Sequence, residues 1–170
     1  LHTIKWYLYE RMPIYIQHRK MLKNNLNLAL SEGVRDIIEK FPVSSQPGSP
    51  FYFTYKNLDV NDRSLFHYSN VNRIRKYLDS KIINNDIKIV LDLGGAYGFF
   101  NTLFKTVYPH TTQVLIDFPQ QLILAYYFFK TKFPNAKILD FRNFDKCDFS
   151  RKELTKYDLI LIPPKEFHLL

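Results

Sequence analysis

The sequence predicts an α/β protein: a parallel sheet in its second half, preceded by a mainly helical segment. Two observations carry this. Residues 89–98, Ile-Val-Leu-Asp-Leu-Gly-Gly-Ala-Tyr-Gly, are a short apolar run ending on Asp92, followed by three of the chain's five glycines. Helically spaced Phe99, Leu103, Phe104 and Val107 come next, so a buried strand turns sharply into a helix and presents backbone N–H groups to a ligand. From Ile87 onward, strand-like and helix-like runs alternate, and strands separated by helices join through right-handed crossovers into a parallel sheet.

The elements follow in order. Residues 1–82 form the helical part. Over residues 1–40, Leu26, Leu30, Val34, Ile37, Ile38 and Phe41 recur at helical spacing. The start is aromatic-rich (Trp6, Tyr7, Tyr9, Tyr15), with Pro13 expected to kink or end the helix. Phe41–Pro50, with its three prolines, three serines and Gly48, reads as an ordered-to-loose linker. Phe51–Tyr55 alternates weakly, as a short strand would. A helix fits Ser64–Ile82, with Leu65, Val71, Ile74 and Leu78 on one face. Residues 83–170 carry the sheet, with strands at Ile87–Leu93, Gln113–Ile116, Lys137–Leu139 and Leu159–Ile162. Helices fit Phe99–Tyr108, Gln120–Lys132 and Ser150–Lys156. Ligands of such sheets bind at the carboxyl ends of the strands, where Asp92, Asp117, Asp140 and Ile162-Pro163 all fall. The first strand is expected at the sheet's centre, where winding reverses.

The glycine spacing narrows the ligand. A dinucleotide fingerprint needs G-x-G-x-x-G, and a P-loop needs a terminal G-K-[ST]; neither fits here. Asp92-Leu-Gly94-Gly95-Ala96-Tyr97-Gly98 resembles motif I of the class I S-adenosylmethionine-dependent methyltransferases, with Ala96 at the middle glycine. That resemblance implies a Rossmann-like sheet with the cofactor lying across Asp92, Gly94, Gly95, Ala96, Tyr97 and Gly98. Asp117 closes the second strand about 20 residues past the turn, where a carboxylate can hold a ribose diol. A cap of the following helix is its alternative role.

Asp117-Phe-Pro-Gln-Gln-Leu-Ile-Leu-Ala-Tyr-Tyr-Phe-Phe-Lys-Thr-Lys-Phe-Pro134 resembles the sugar O-methyltransferases of bacterial surface-polysaccharide clusters, as does the doubled glycine. The likeness covers roughly residues 60–162. It implies S-adenosylmethionine as cofactor and a sugar hydroxyl as methyl acceptor, on a small-molecule or carrier-linked substrate. Phenol O-methyltransferases share the same features, so a phenolic acceptor stays open. Phe118 is expected either against the cofactor's adenine or ribose or as a core plug. Asp140, or Asn143 beside it, is expected to accept the adenine amino proton or to serve as a turn residue. Ile162-Pro-Pro-Lys165 keeps the Pro-Pro of nucleic-acid amino-methyltransferases without their polar and aromatic partners, which makes nucleic acid the runner-up acceptor. His168, near Glu166, is the candidate general base, and an ordinary surface role is its alternative. The last strands of the family's sheet are expected beyond Leu170. A non-catalytic module of the same fold is the remaining alternative.

Composition sets outer bounds. Net charge is +8, a balance that can draw nucleic acid, anionic lipid or a phosphate-bearing substrate, but the lysines form no run and read rather as a solvated surface. A lone cysteine, Cys147, precludes an internal disulfide and points to a reducing cytoplasm. The longest apolar run, Leu122–Phe129, is far short of a membrane span. The histidines show no metal spacing.

Overall fold

A computed structural model describes residues 2–48, 51–84 and 86–169, with side chains from Ile16 onward except those of Lys146 and Leu169. The aromatic side chains of Trp6, Tyr7, Tyr9 and Tyr15 lie outside that description. The first helix, α1 (His2–Ser31), continues through Pro13 and does not end there. It stops at Gly33, whose φ of +93° is a left-handed conformation suited to glycine. A second helix, α2 (Arg35–Lys40), then starts. The turn brings Leu26, Ala29, Val34, Ile37 and Ile38 into one core.

The expected loose linker is partly a core element. Phe41 and Val43 are fully buried, Gln46 is 7% exposed, and Val43–Ser45 forms a 3₁₀ turn. Residues 49 and 50 lie outside the description. A hairpin follows, β1 (Phe53–Tyr55) with β2 (Leu58–Val60), antiparallel. Its turn residues Lys56 and Asn57 both have positive φ, which matches strand twist in a two-residue loop. Helix α3 (Asp62–Ile83) opens on a reciprocal cap: Ser64 N donates to Asn61 Oδ1 (2.8 Å) and Asn61 N donates to Ser64 Oγ (2.9 Å).

Four parallel strands make the main sheet: β3 (Ile89–Leu93), β4 (Thr112–Ile116), β5 (Ile138–Asp140) and β6 (Leu159–Ile162), in the order β3-β4-β6-β5. Helices α4 (Phe99–Val107), α5 (Pro119–Lys132) and α6 (Arg151–Leu154) flank it. Leu122, Ala125 and Phe129 of α5 cover Leu115, Leu159 and Leu161 on one face. Leu154 of α6 covers Val114, Ile116, Ile160 and Ile162 on the other. The helical segment joins this layer through α4, since Phe99, Leu103 and Phe104 share a core with Ile37, Phe41 and Tyr68.

One expectation is overturned: β3 lies at an edge of the sheet and not at its centre. The cause is where β6 docks. Lys105 of α4, almost buried, pairs with Asp158 at 2.7 Å and donates to Thr111 O at 2.8 Å. Gln113 N donates to Asp158 O, and Thr112 Oγ1 to Tyr157 O. These bonds pin the start of β6 beside β4, so β3 keeps one open flank and Leu91 and Leu93 stay exposed. Among the described residues, no helix is long and apolar enough to cross a membrane.

Candidate functional site

The glycine turn leaves β3 through a chain of constrained positions. Gly94, Ala96 and Gly98 all have positive φ (+74°, +51° and +77°). Gly95 is needed for a different reason: a Cβ there would overlap the Asp92 carboxylate and the Leu115 side chain. Gly94 N donates to Ile116 O at 2.8 Å, tying the turn to the end of β4. Asp117 clamps it further, for Oδ2 accepts from Ala96 N and Oδ1 from Phe118 N, both at 2.7 Å. Gly98 opens α4 with no side-chain cap, so the N–H groups of that first turn face the loop.

Beside the turn is a cleft of about 850 Å³, walled on one side by the turn with Asp92 and on the other by α3 through Arg63, His67 and Asn70. Asp92 Oδ2 is buried and has no hydrogen-bond partner. Burial, reinforced by the Asp117 charge, pushes the Asp92 carboxyl up to about 6. His67 stacks on Phe99 with ring centres 5.0 Å apart, and burial followed by the Arg63 charge pulls its imidazole down to about 4. His67 is therefore neutral near pH 7. The Arg63 guanidinium lies 5.3 Å from the centre of the Tyr97 ring. The cleft thus offers a carboxylate, a cation and a neutral imidazole within one concavity, with an aromatic floor.

The structure brings together only part of the predicted site. Asp92, Gly94, Gly95, Ala96 and Tyr97 line the cleft, while Gly98 opens α4 and Asp117 is bonded to the turn through Ala96 N. Phe118 is 68% exposed and neither plugs the core nor lines the cleft. Asp140 is three strand positions from Asp92, about 14 Å at the usual strand spacing. There it caps a 3₁₀ turn (Phe141–Lys146) and is gripped by Arg142 through N, Nε and Nη2. That grip, against the cost of burial, holds its carboxyl below the usual range. It lines a separate hollow of about 410 Å³ with Tyr126 and Phe141. His168 is exposed, with Nδ1 3.1 Å from Lys165 O, and is not part of the cleft wall.

Sequence reasoning missed the α3 wall. Its one signal was Arg63, His67 and Asn70 recurring at i, i+4, i+7 on a helix whose Leu65, Tyr68 and Val71 face the core. Among the described residues no group of His, Cys, Asp and Glu could hold a metal ion. No protein-family model, no curated protein and no solved structure matches this chain.

Proposed function

We propose that the glycine turn binds S-adenosylmethionine and that the chain is an O-methyltransferase of Rossmann-like, class I type acting on a sugar hydroxyl, consistent with a surface-polysaccharide precursor as substrate. The observation that carries the reading is Asp92. A buried carboxylate oxygen without a partner costs free energy unless a ligand satisfies it, and a ligand with an ammonium or sulfonium group supplies the matching charge. Asp92 would hold the cationic end, the N–H groups of the turn the carboxylate, and Asp117 the ribose diol. Two of the roughly four acceptor positions of Asp117 are used by Ala96 and Phe118, so acceptor capacity remains. When bound, the cofactor supplies an electrophilic methyl group. The chain's part is to align an acceptor oxygen in line with it and to accept the hydroxyl proton. His67, neutral and in the cleft wall, is better placed for that proton than His168.

The edge position of β3 bears on how the site is closed. Doubly wound sheets form their crevice between two diverging strands; here α3 takes the place of the second strand. Calorimetry with S-adenosylhomocysteine tests the reading. Binding is expected, and Asp117→Ala should weaken it by roughly 1.5–3 kcal/mol, about 10- to 150-fold. Tight binding of a nicotinamide dinucleotide with none of S-adenosylhomocysteine would overturn it.

A further inference from the structure

The charges of the glycine-turn cleft stand at separate poles. Beyond burial, the Asp92 carboxyl is shifted by the Asp117 charge, whereas the Arg63 charge acts on His67 and on the Tyr97 hydroxyl. In the methyltransferase reading, the cationic end of the cofactor answers Asp92. Nothing in the chain answers Arg63 in the same way: among the described residues it forms no ion pair with a carboxylate. Bonding to the Tyr97 hydroxyl leaves most of its N–H donors free. Its seat is nonetheless defined. Tyr97 packs edge-on against Phe99 and Phe128, with ring centres 6.2 and 5.2 Å away, and the guanidinium rests 5.3 Å from the centre of that anchored ring.

Arg63 also stands in the first turn of α3, the positive end of the helix dipole. A cation is out of place there in the empty protein, and guanidinium and helix end add their fields at one end of the cleft. Asp62, in the same turn and also on the cleft wall, is hydrogen-bonded to His18. His67 follows Arg63 by one helical turn, about 6 Å along the axis. Phe66, Ile74, Leu91 and Phe100 add apolar lining. A positive end, a neutral imidazole one turn away and apolar walls suit an anion that carries a hydroxyl.

We propose that the methyl acceptor is an anion: its carboxylate or phosphate pairs with Arg63, and the hydroxyl to be methylated lies one helical turn away at His67. The planar guanidinium can grip either anion through paired N–H bonds, and holding the acceptor at two points selects which hydroxyl is presented. The hydroxyl oxygen forms the new C–O bond and gives its proton to His67, with the electron pair of the broken S–C bond left on sulfur. The role as methyl acceptor rests on the methyltransferase reading, whereas anion binding at Arg63 does not.

Calorimetry on the full chain tests this with pairs of small molecules matched except for the anion: 4-hydroxybenzoate against 4-hydroxybenzamide, and glucose 6-phosphate against glucose. In at least one pair the anion should bind about tenfold or more tighter than its neutral partner, and the pair that does so tells an aromatic body from a sugar. Arg63→Gln should abolish that preference and Arg63→Lys should keep part of it; Arg63 is exposed, so both variants are expected to fold. The anion alone, benzoate or inorganic phosphate, should bind several-fold more weakly than its hydroxylated counterpart. His67→Phe, which keeps a ring against Phe99, should narrow that gap and leave the preference for the anion. Equal affinities within both pairs, a preference that survives Arg63→Gln, or a gap that survives His67→Phe would each overturn the proposal. So would about a tenfold loss of S-adenosylhomocysteine affinity in Arg63→Gln, because Arg63 would then hold the cofactor's carboxylate; the methyltransferase reading would stand. No S-adenosylhomocysteine binding by the parent chain, with the anion preference intact, would overturn that reading and leave the anion site standing.

Discussion

Asp92 and Asp140 occupy one row of the sheet at opposite edges: Asp92 pairs with Leu115, Leu115 with Leu161, and Leu161 with Asp140. Both lie at the carboxyl end of a strand, and both were expected to touch the cofactor. Their environments push them apart. Asp140 is answered by Arg142 two residues on, accepts two hydrogen bonds from its guanidinium and one from its backbone N–H, and stays ionised. Asp92 faces a glycine turn whose backbone bonds are made elsewhere, meets a second carboxylate, and is pushed up to about 6. A carboxylate that is fully bonded within its own chain is structural. One that is buried and unanswered is a candidate for binding a ligand.

The largest expected effect comes from Gly95→Ala. The φ of Gly95 is not in the left-handed region, so alanine is tolerated by the backbone, and the whole cost is steric against Asp92 and Leu115. Overpacking of this kind costs about 2–3 kcal/mol, read as a lower denaturant midpoint, together with loss of S-adenosylhomocysteine binding. A loss below about 0.5 kcal/mol would mean that the Asp92 carboxylate swings clear, and the contrast with Asp140 would weaken.

A smaller and sharper test is to neutralise each carboxylate in turn. Asp92→Asn should stabilise the protein by roughly 1–2 kcal/mol, after allowance for solvent screening, because it removes a desolvated charge beside Asp117. Asp140→Asn should destabilise it by about 1 kcal/mol, because it removes the anion that Arg142 binds. Opposite signs in thermal melts uphold the comparison; equal signs would sink it.

What the sequence made legible is local. The strand ends at Leu93, Ile116 and Ile162 are where apolar runs meet turn chemistry, and the glycine turn was readable because Asp92, Gly94 and Gly98 mark it without reference to any neighbour. Strand order was not readable. The placement of β6 beside β4 depends on Lys105 meeting Asp158, a contact 53 positions apart in the chain that no periodicity encodes. The same limit hid the role of Asp140. An aspartate at a strand end looks alike whether Arg142 folds back on it or not, and its distance from the turn follows from the strand order. The α3 wall was half legible: Arg63, His67 and Asn70 share a helix face, but polar residues on a helix usually face water, and only the packing of α3 against α4 turns that face to the cleft. Gln46 lay in a stretch that composition marked as loose, and its burial comes from Phe41 and Val43 anchoring that stretch.

The smallest effect is a cancellation, and it involves both titrating groups of the cleft. Asp92 has its pKa raised on folding, from 3.8 to about 6. Between those values the folded state holds a proton that the unfolded chain has lost, so this group's stabilisation is present below about pH 4 and lost as pH rises through 6. His67 has its pKa lowered, from 6.5 to about 4. Between those values the unfolded chain holds the extra proton, so its stabilisation is present above about pH 6.5 and lost as pH falls through 4. Each slope is at most about 1.4 kcal/mol per pH unit, with opposite signs over about pH 4 to 6, and in the parent chain they largely cancel. Removing either group should expose the other. Taken as differences from the parent, so that the remaining carboxylates drop out, Asp92→Asn should gain stability relative to the parent as pH rises from about 4 to 6. His67→Asn should lose it over the same range. Urea midpoints at half-unit pH steps read both curves. Two flat difference curves would mean that neither group is perturbed in the folded protein, and Asp92 would then be no more a binding group than Asp140.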